Sequence, residues 1–155
     1  MNFLDLIWLI PLVPLLGAAI MLFFGRRLPN SVVSIVCPGA VGVSFLLSLG
    51  AVVQLAGLPH KLHEVTLFHW LPLLKVDMAY LLDPLSSVMI LVVTGVGFLI
   101  HVYSIGYMGH EGGYYRFFAY LNLFVFFMLT LVLGNSYPLL FVGWEGVGLC
   151  SYLLI

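Results

Sequence analysis

Charge is what this sequence lacks. It has only five Lys or Arg and six Asp or Glu in 155 residues, 7% charged in all. A soluble domain carries about 25%, so these side chains cannot cover a water-facing surface. The hydrophobic fraction is 63% and the mean hydropathy +1.20. Lipid is the solvent such a composition suits. A net charge of −1 leaves no basic face for nucleic acid. Cysteine is scarce too. Cys37 and Cys150 lie in apolar runs, outside any CxxC pair. They are too few for an iron–sulfur cluster and read as small packing residues. Glycine fingerprints are incomplete: Gly95-Val96-Gly97 and Gly146-Val147-Gly148 do not extend to GxGxxG, and there is no P-loop. This chain therefore binds no NADH, flavin or iron–sulfur cluster of its own. Aromatics at 15%, and glycines without a triplet period, exclude a disordered or collagen-like chain.

What remains is a series of apolar runs. They extend over 4–24, 32–58, 82–103, 117–134 and from 137 onward. A membrane span needs roughly 20 residues, so the sequence predicts an all-α integral membrane protein, a polytopic bundle of about five transmembrane helices. The fifth run is still apolar at Ile155, which reads as a truncated helix in the N-terminal part of a longer protein. A division follows: 1–81, with two spans and an outer loop, and 82–155, the start of a second domain.

The first span is no signal peptide, because no basic residue precedes it; Arg26 and Arg27 follow it instead. The positive-inside rule places these arginines on the cytoplasmic side. The N-terminus is then outside, as are 58–81 and the 134–137 turn, while the 105–116 loop with Glu111 and Arg116 is inside. A bacterial inner membrane fits this layout. Within 58–81, Leu74-Lys75-Val76-Asp77-Met78 alternates cleanly and 61–67 does so in patches, around a turn-like Trp70-Leu71-Pro72. The pattern predicts a short outer β-hairpin. His60, His63 and His69 cluster there, but without Cys or paired carboxylates they read as a wet loop rather than a metal site.

Sorting the charges isolates one residue. Every charged side chain falls in a loop or at a span end except Glu145. It stands about 12 Å into the fifth helix at 1.5 Å per residue, well inside a hydrocarbon core of about 30 Å. A charge there costs about 2.5–3.5 kcal/mol on insertion scales. Burial favours the neutral acid and a nearby cation favours the carboxylate, so a group held between the two takes up and releases a proton. The functional reading is a proton-pathway residue; the structural alternative is a neutral Glu bonding two helices. Gly143, Gly146 and Gly148 around it would let other helices approach. Tyr152 lies two turns on along the same face, and Trp144 points elsewhere, as packing.

The third helix carries a stripe. Asp83, Ser86, Ser87, Thr94 and His101 share one face. The stripe would line a hydrated path, with Asp83 at the outer mouth and the titratable His101 near the inner one. The competing reading is local: Asp83-Pro84 is an N-cap followed by Pro, and Ser and Thr bond their own helix carbonyls. In the second helix, Ser34, Cys37, Val41, Ser44 and Ser48 form a small-residue packing seam. Pro11 and Pro14 would kink the first helix.

These residues resemble a known family. The run from Leu82-Asp83-Pro84-Leu85-Ser86-Ser87-Val88-Met89 through Val93–Tyr103, then Tyr107-Met108 and Tyr115–Tyr120, carry it. So does Gly143-Trp144-Glu145-Gly146-Val147-Gly148-Leu149-Cys150-Ser151-Tyr152, the most specific stretch. They are similar to the N-terminal part of chain L (chain 5) of NADH–quinone oxidoreductase, respiratory complex I, an antiporter-like proton-translocating family. The match is strong over 80–155 and only one of layout over 1–79. The resemblance implies a proton-translocating subunit without redox chemistry of its own, in a complex that couples quinone reduction to pumping. Glu145 is then the titratable group of a half-channel. It would work opposite a lysine on a later helix, which 1–155 does not contain, within inverted repeats. NADH, flavin, iron–sulfur clusters and quinone are implied on partner subunits, and other membrane-arm subunits and lipid as partners. The large subunit of a multi-subunit sodium/proton antiporter shares the Glu-bearing helix and is the alternative. The run around Glu145 favours the first. A purely structural anchoring subunit is a third reading, against which Glu145 argues, since Gln would serve structure at lower cost.

Overall fold

The computed structural model of the chain describes residues 2–155. Helices α1 (Leu9–Phe24) and α2 (Asn30–Ala56) come first. Strands β1 (His63–Leu71) and β2 (Val76–Leu82) follow, then helices α3 (Pro84–Tyr107), α4 (Tyr114–Leu133) and α5 (Tyr137–Leu154). All five helices are long and apolar enough to cross a membrane. Their ends are set locally. Asp83 caps α3 by accepting the Ser86 N–H at 2.6 Å. Ser136 caps α5 through the Leu139 N–H at 3.4 Å, and Pro84 and Pro138 occupy first-turn positions where no N–H is needed.

Helices α1 to α4 form a closed ring in which α1 and α3 each touch both α2 and α4. Helix α5 lies outside the ring against α4. Two apolar clusters fill much of the ring: Ile7, Ile10, Val41, Ile90 and Leu129 are fully buried in one, and Met21, Val33, Cys37 and Phe118 in the other. The small-residue seam of α2 faces inward, with Cys37, Val41, Ser44 and Ser48 fully buried and Ser34 half-buried.

One bond in this ring follows from a proline. Pro14 lies inside α1 and has no N–H, so the carbonyl of Ile10, one turn before it, loses its usual donor. Hydrocarbon offers no substitute. The Ser44 hydroxyl of α2 donates to the Ile10 carbonyl at 2.8 Å. The proline of one helix and the serine of its neighbour therefore form one unit.

The expected hairpin is present, with β1 and β2 antiparallel. Its first strand is longer than the alternation indicates. Trp70 and Leu71, read as turn, belong to β1, and the reversal is a 3₁₀ turn over Pro72–Leu74 ended by Lys75 at φ 53°. Shifts in register between Thr66 and Phe68, and between His69 and Leu71, absorb the extra residues. These irregularities are what broke the alternation in the sequence. The hairpin root is tied to the α4–α5 turn. Tyr80 bridges to Gly134, the Asn135 N–H donates to the Ala79 carbonyl at 3.1 Å, and its side chain donates to Glu64 at 2.7 Å. Segments 58–81 and 134–137 thus share one end of the bundle. At the other end Gly25, before Arg26 and Arg27, packs on the Tyr115 ring.

Helix α5 reaches α4 through glycines. A Cβ at Gly143 would lie 2.7 Å from the backbone nitrogen of Leu131, and one at Gly146 would collide with the Phe127 ring. Gly148 has nothing within 4 Å, so it is not part of this contact.

Two outcomes are expected. Ser44→Ala leaves the Ile10 carbonyl unpaired and should lower stability by about 1 kcal/mol, read from reversible unfolding in mixed detergent. Gly143→Val should push α4 and α5 apart and lower the thermal midpoint in detergent, whereas Gly148→Ala should match wild type.

Candidate functional site

Glu145 stands eight residues after Tyr137, the first residue of α5. The buried residues Gly143, Gly146 and Cys150 define the side of α5 that meets α4. At 100° per residue, Glu145 falls on the far side, as do Phe141, Gly148 and Tyr152, all exposed. Glu145 and Tyr152 share a face that the ring helices leave uncovered. Glu145 has no hydrogen bond or ion pair to any described residue. Trp144, 65% exposed, flanks this face beside a groove whose other walls include Met128, Leu131 and Ser151.

The α3 stripe looks the other way. Ser87, Thr94 and His101 are buried toward the ring, while Asp83 and Ser86 are half-buried. Most of its polar atoms are bonded within α3. Ser87 donates to the Asp83 carbonyl at 2.7 Å and Thr94 to the Ile90 carbonyl at 2.5 Å. Ser104, one turn beyond and not part of the expected stripe, donates to the Ile100 carbonyl at 2.7 Å. Two members reach α4: Ser86 donates to the Val132 carbonyl at 3.3 Å, and His101 Nε2 lies 2.8 Å from the Asn122 carboxamide. Helix α4 stands between α3 and α5. The structure therefore gathers Asp83, Thr94 and His101 on one side of α4 and leaves Glu145 and Tyr152 on the other.

Asn122 escapes a reading by pattern. It is fully buried in α4, and its immediate neighbours in sequence, Leu121 and Leu123, are apolar. The available signal was a lone carboxamide within a span. Asn122 also meets α1: a Cβ at Gly17 would lie 2.6 Å from its Nδ2 and 3.2 Å from the Ala40 Cβ of α2. All four ring helices thus converge at this level.

The hairpin histidines are spread over separate partners. His69 Nδ1 lies 2.6 Å from Asp77, His63 lies 3.4 Å from Asp5, and His60 is exposed. Among the described residues no three His, Cys, Asp or Glu converge as metal ligands. Cys37 and Cys150 are free and sit apart on α2 and α5.

Comparison with known proteins joins the fold to a family. The family model described as the N-terminus of chain 5 of NADH-ubiquinone oxidoreductase (complex I) matches residues 70–118. NADH-quinone oxidoreductase subunit L of Mycobacterium tuberculosis is 46% identical over 153 residues, 96% of this chain and 24% of that protein. The subunit L of Escherichia coli is 42% identical over 146 residues, 93% of this chain and 24% of that protein. NADH-ubiquinone oxidoreductase chain 5 of Talaromyces marneffei is 42% identical over 144 residues, 92% of this chain and 22% of that protein. A chain in the solved structure of the Mrp complex from Dietzia sp. superposes with a TM-score of 0.76 at 28% identity, covering 96% of this chain and 15% of that chain. The chain spans about a quarter of the length of the curated relatives it matches. Over nearly its whole length the chain resembles the N-terminal part of subunit L (chain 5) of NADH–quinone oxidoreductase.

Proposed function

We propose that this chain is part of a proton-translocating membrane-arm subunit of NADH–quinone oxidoreductase, with Glu145 as its titrating group. The observation that carries the reading is a carboxylate about 12 Å into an apolar helix, exposed on the face of α5 away from α4 and unpaired by any described residue. In hydrocarbon such a group takes up a proton when alone and gives it up when a cation is brought beside it. A lysine presented to the Glu145 face by a later part of the protein would drive that exchange. Tyr152, on the same face, is placed to pass a hydrogen bond to it. NADH oxidation and quinone reduction, with flavin and iron–sulfur clusters, belong to partner subunits in this reading. The N-terminus and hairpin lie outside, and Arg26, Arg27 and Arg116 lie inside, in a bacterial inner membrane.

Asp83, Thr94 and His101 enter as a second, lesser path behind α4. Their bonds within α3 favour holding that helix over conducting along it. A sodium/proton antiporter subunit is the competing function, favoured by the likeness to the Mrp complex. The higher identity to relatives named NADH-quinone oxidoreductase subunit L favours the redox-driven pump.

The test is NADH-driven acidification of inverted membrane vesicles with Glu145→Gln in the full-length subunit. Pumping should fall by roughly a hundredfold in complexes that still assemble. Wild-type pumping in an assembled variant sinks the assignment of Glu145, and sodium/proton exchange without NADH-driven pumping would favour the antiporter. His101→Ala, in the same vesicles, should lose less than Glu145→Gln; an equal loss would make the α3 stripe the main path.

A further inference from the structure

The point where the four ring helices meet carries a second inference, independent of Glu145. We propose that Asn122 is a positioning residue that holds His101 neutral, with the ring proton on Nδ1 and the Asn122 amide nitrogen donating to Nε2. His101 Nδ1 lies 2.7 Å from the Gly97 carbonyl. A carbonyl only accepts, so Nδ1 carries a proton. Nε2 lies 2.8 Å from the Asn122 carboxamide, which can present either of its ends.

The two orientations have different consequences. With Oδ1 toward Nε2, both ring nitrogens face acceptors and the ring must be an imidazolium. His101 is fully buried, and no carboxylate pairs with it among the described residues. The groups around it are the Phe118 ring, at 6.1 Å between centroids, and an apolar cavity of about 200 Å³ lined by Val92, Val96, Leu121 and Phe124. A buried cation without a counter-charge is strongly disfavoured. In that orientation Asn122 Nδ2 is also left buried without an acceptor, a further penalty.

Turning the amide about its Cβ–Cγ axis removes both problems. Nδ2 then donates to a neutral Nε2, and Oδ1 faces the Cα–H of Gly17, a weak donor. A side chain at residue 17 would sit 2.6 Å from that end of the amide, so glycine keeps the place open. Both ring nitrogens are then occupied, one by Gly97 and one by Asn122. His101 accepts a proton only when the amide turns back and presents Oδ1. Asn122 therefore governs whether His101 carries charge at all.

The test is solid-state NMR of the full-length subunit in its complex, labelled with ¹⁵N-histidine. The His101 signals are those missing from His101→Gln. A protonated Nδ1 with an unprotonated, hydrogen-bonded Nε2 is expected. A proton on Nε2, alone or with one on Nδ1, overturns the proposal. Asn122→Leu removes the donor and should shift the Nε2 resonance to that of an unbonded nitrogen; no shift would show that Asn122 does not donate. Should Asn122→Leu fail to assemble, the wild-type spectrum decides by itself. Pumping is not read, so failure of the Glu145 assignment leaves this result untouched.

Discussion

A polar atom inside a bilayer must find its partner in the protein, because hydrocarbon supplies none. That constraint arranges most of this bundle. Pro14 releases the Ile10 carbonyl and Ser44 covers it. Ser48, Ser87, Thr94, Ser104 and Thr130 each return their hydroxyl to a carbonyl one turn back in their own helix. Helices begin at Asp83 and Ser136, whose side chains take up free amide hydrogens. Glu145 is the charged side chain within a span that follows none of these solutions.

Helix α4 turns this local accounting into two separate sites. It packs on α1 and α3 within the ring and on α5 outside it. Glycines set how closely: Gly17 admits the Asn122 carboxamide, while Gly143 and Gly146 bring the α5 backbone against Leu131 and Phe127. The His101–Asn122 pair is thereby enclosed by four helices, and Glu145 is carried to the opposite side of α5. One polar pair is buried among the ring helices, and one carboxylate lies on an exposed face of α5.

Much of this was legible in the residues. The apolar runs mark all the spans because each is long, and the lone acidic residue within one of them stands out against its neighbours. The inward seam of α2 follows from small residues at three- and four-residue spacing. The hairpin was harder, since its irregular register blurs the period of two, and Trp70 and Leu71 resemble a turn beside Pro72. Two things were not legible. Helical spacing places Asp83, Thr94 and His101 on one face but does not say which helix that face meets, so it cannot distinguish a sealed stripe from a channel. Nor can periodicity find Asn122, whose partners come from α1 and α3. For the glycines, spacing near Glu145 marks close approach in general; only the packing separates Gly143 and Gly146, which use it, from Gly148, which does not.

The hairpin is attached at the point where α5 begins. Ala79 and Glu64 hold the backbone and side chain of Asn135, and Tyr80 bridges to Gly134. Those residues immediately precede α5, whose first turn begins at Tyr137. The hairpin is thus fastened to the start of the Glu145 helix. The hairpin root and the start of that helix are joined by these bonds about 12 Å along α5 from the carboxylate.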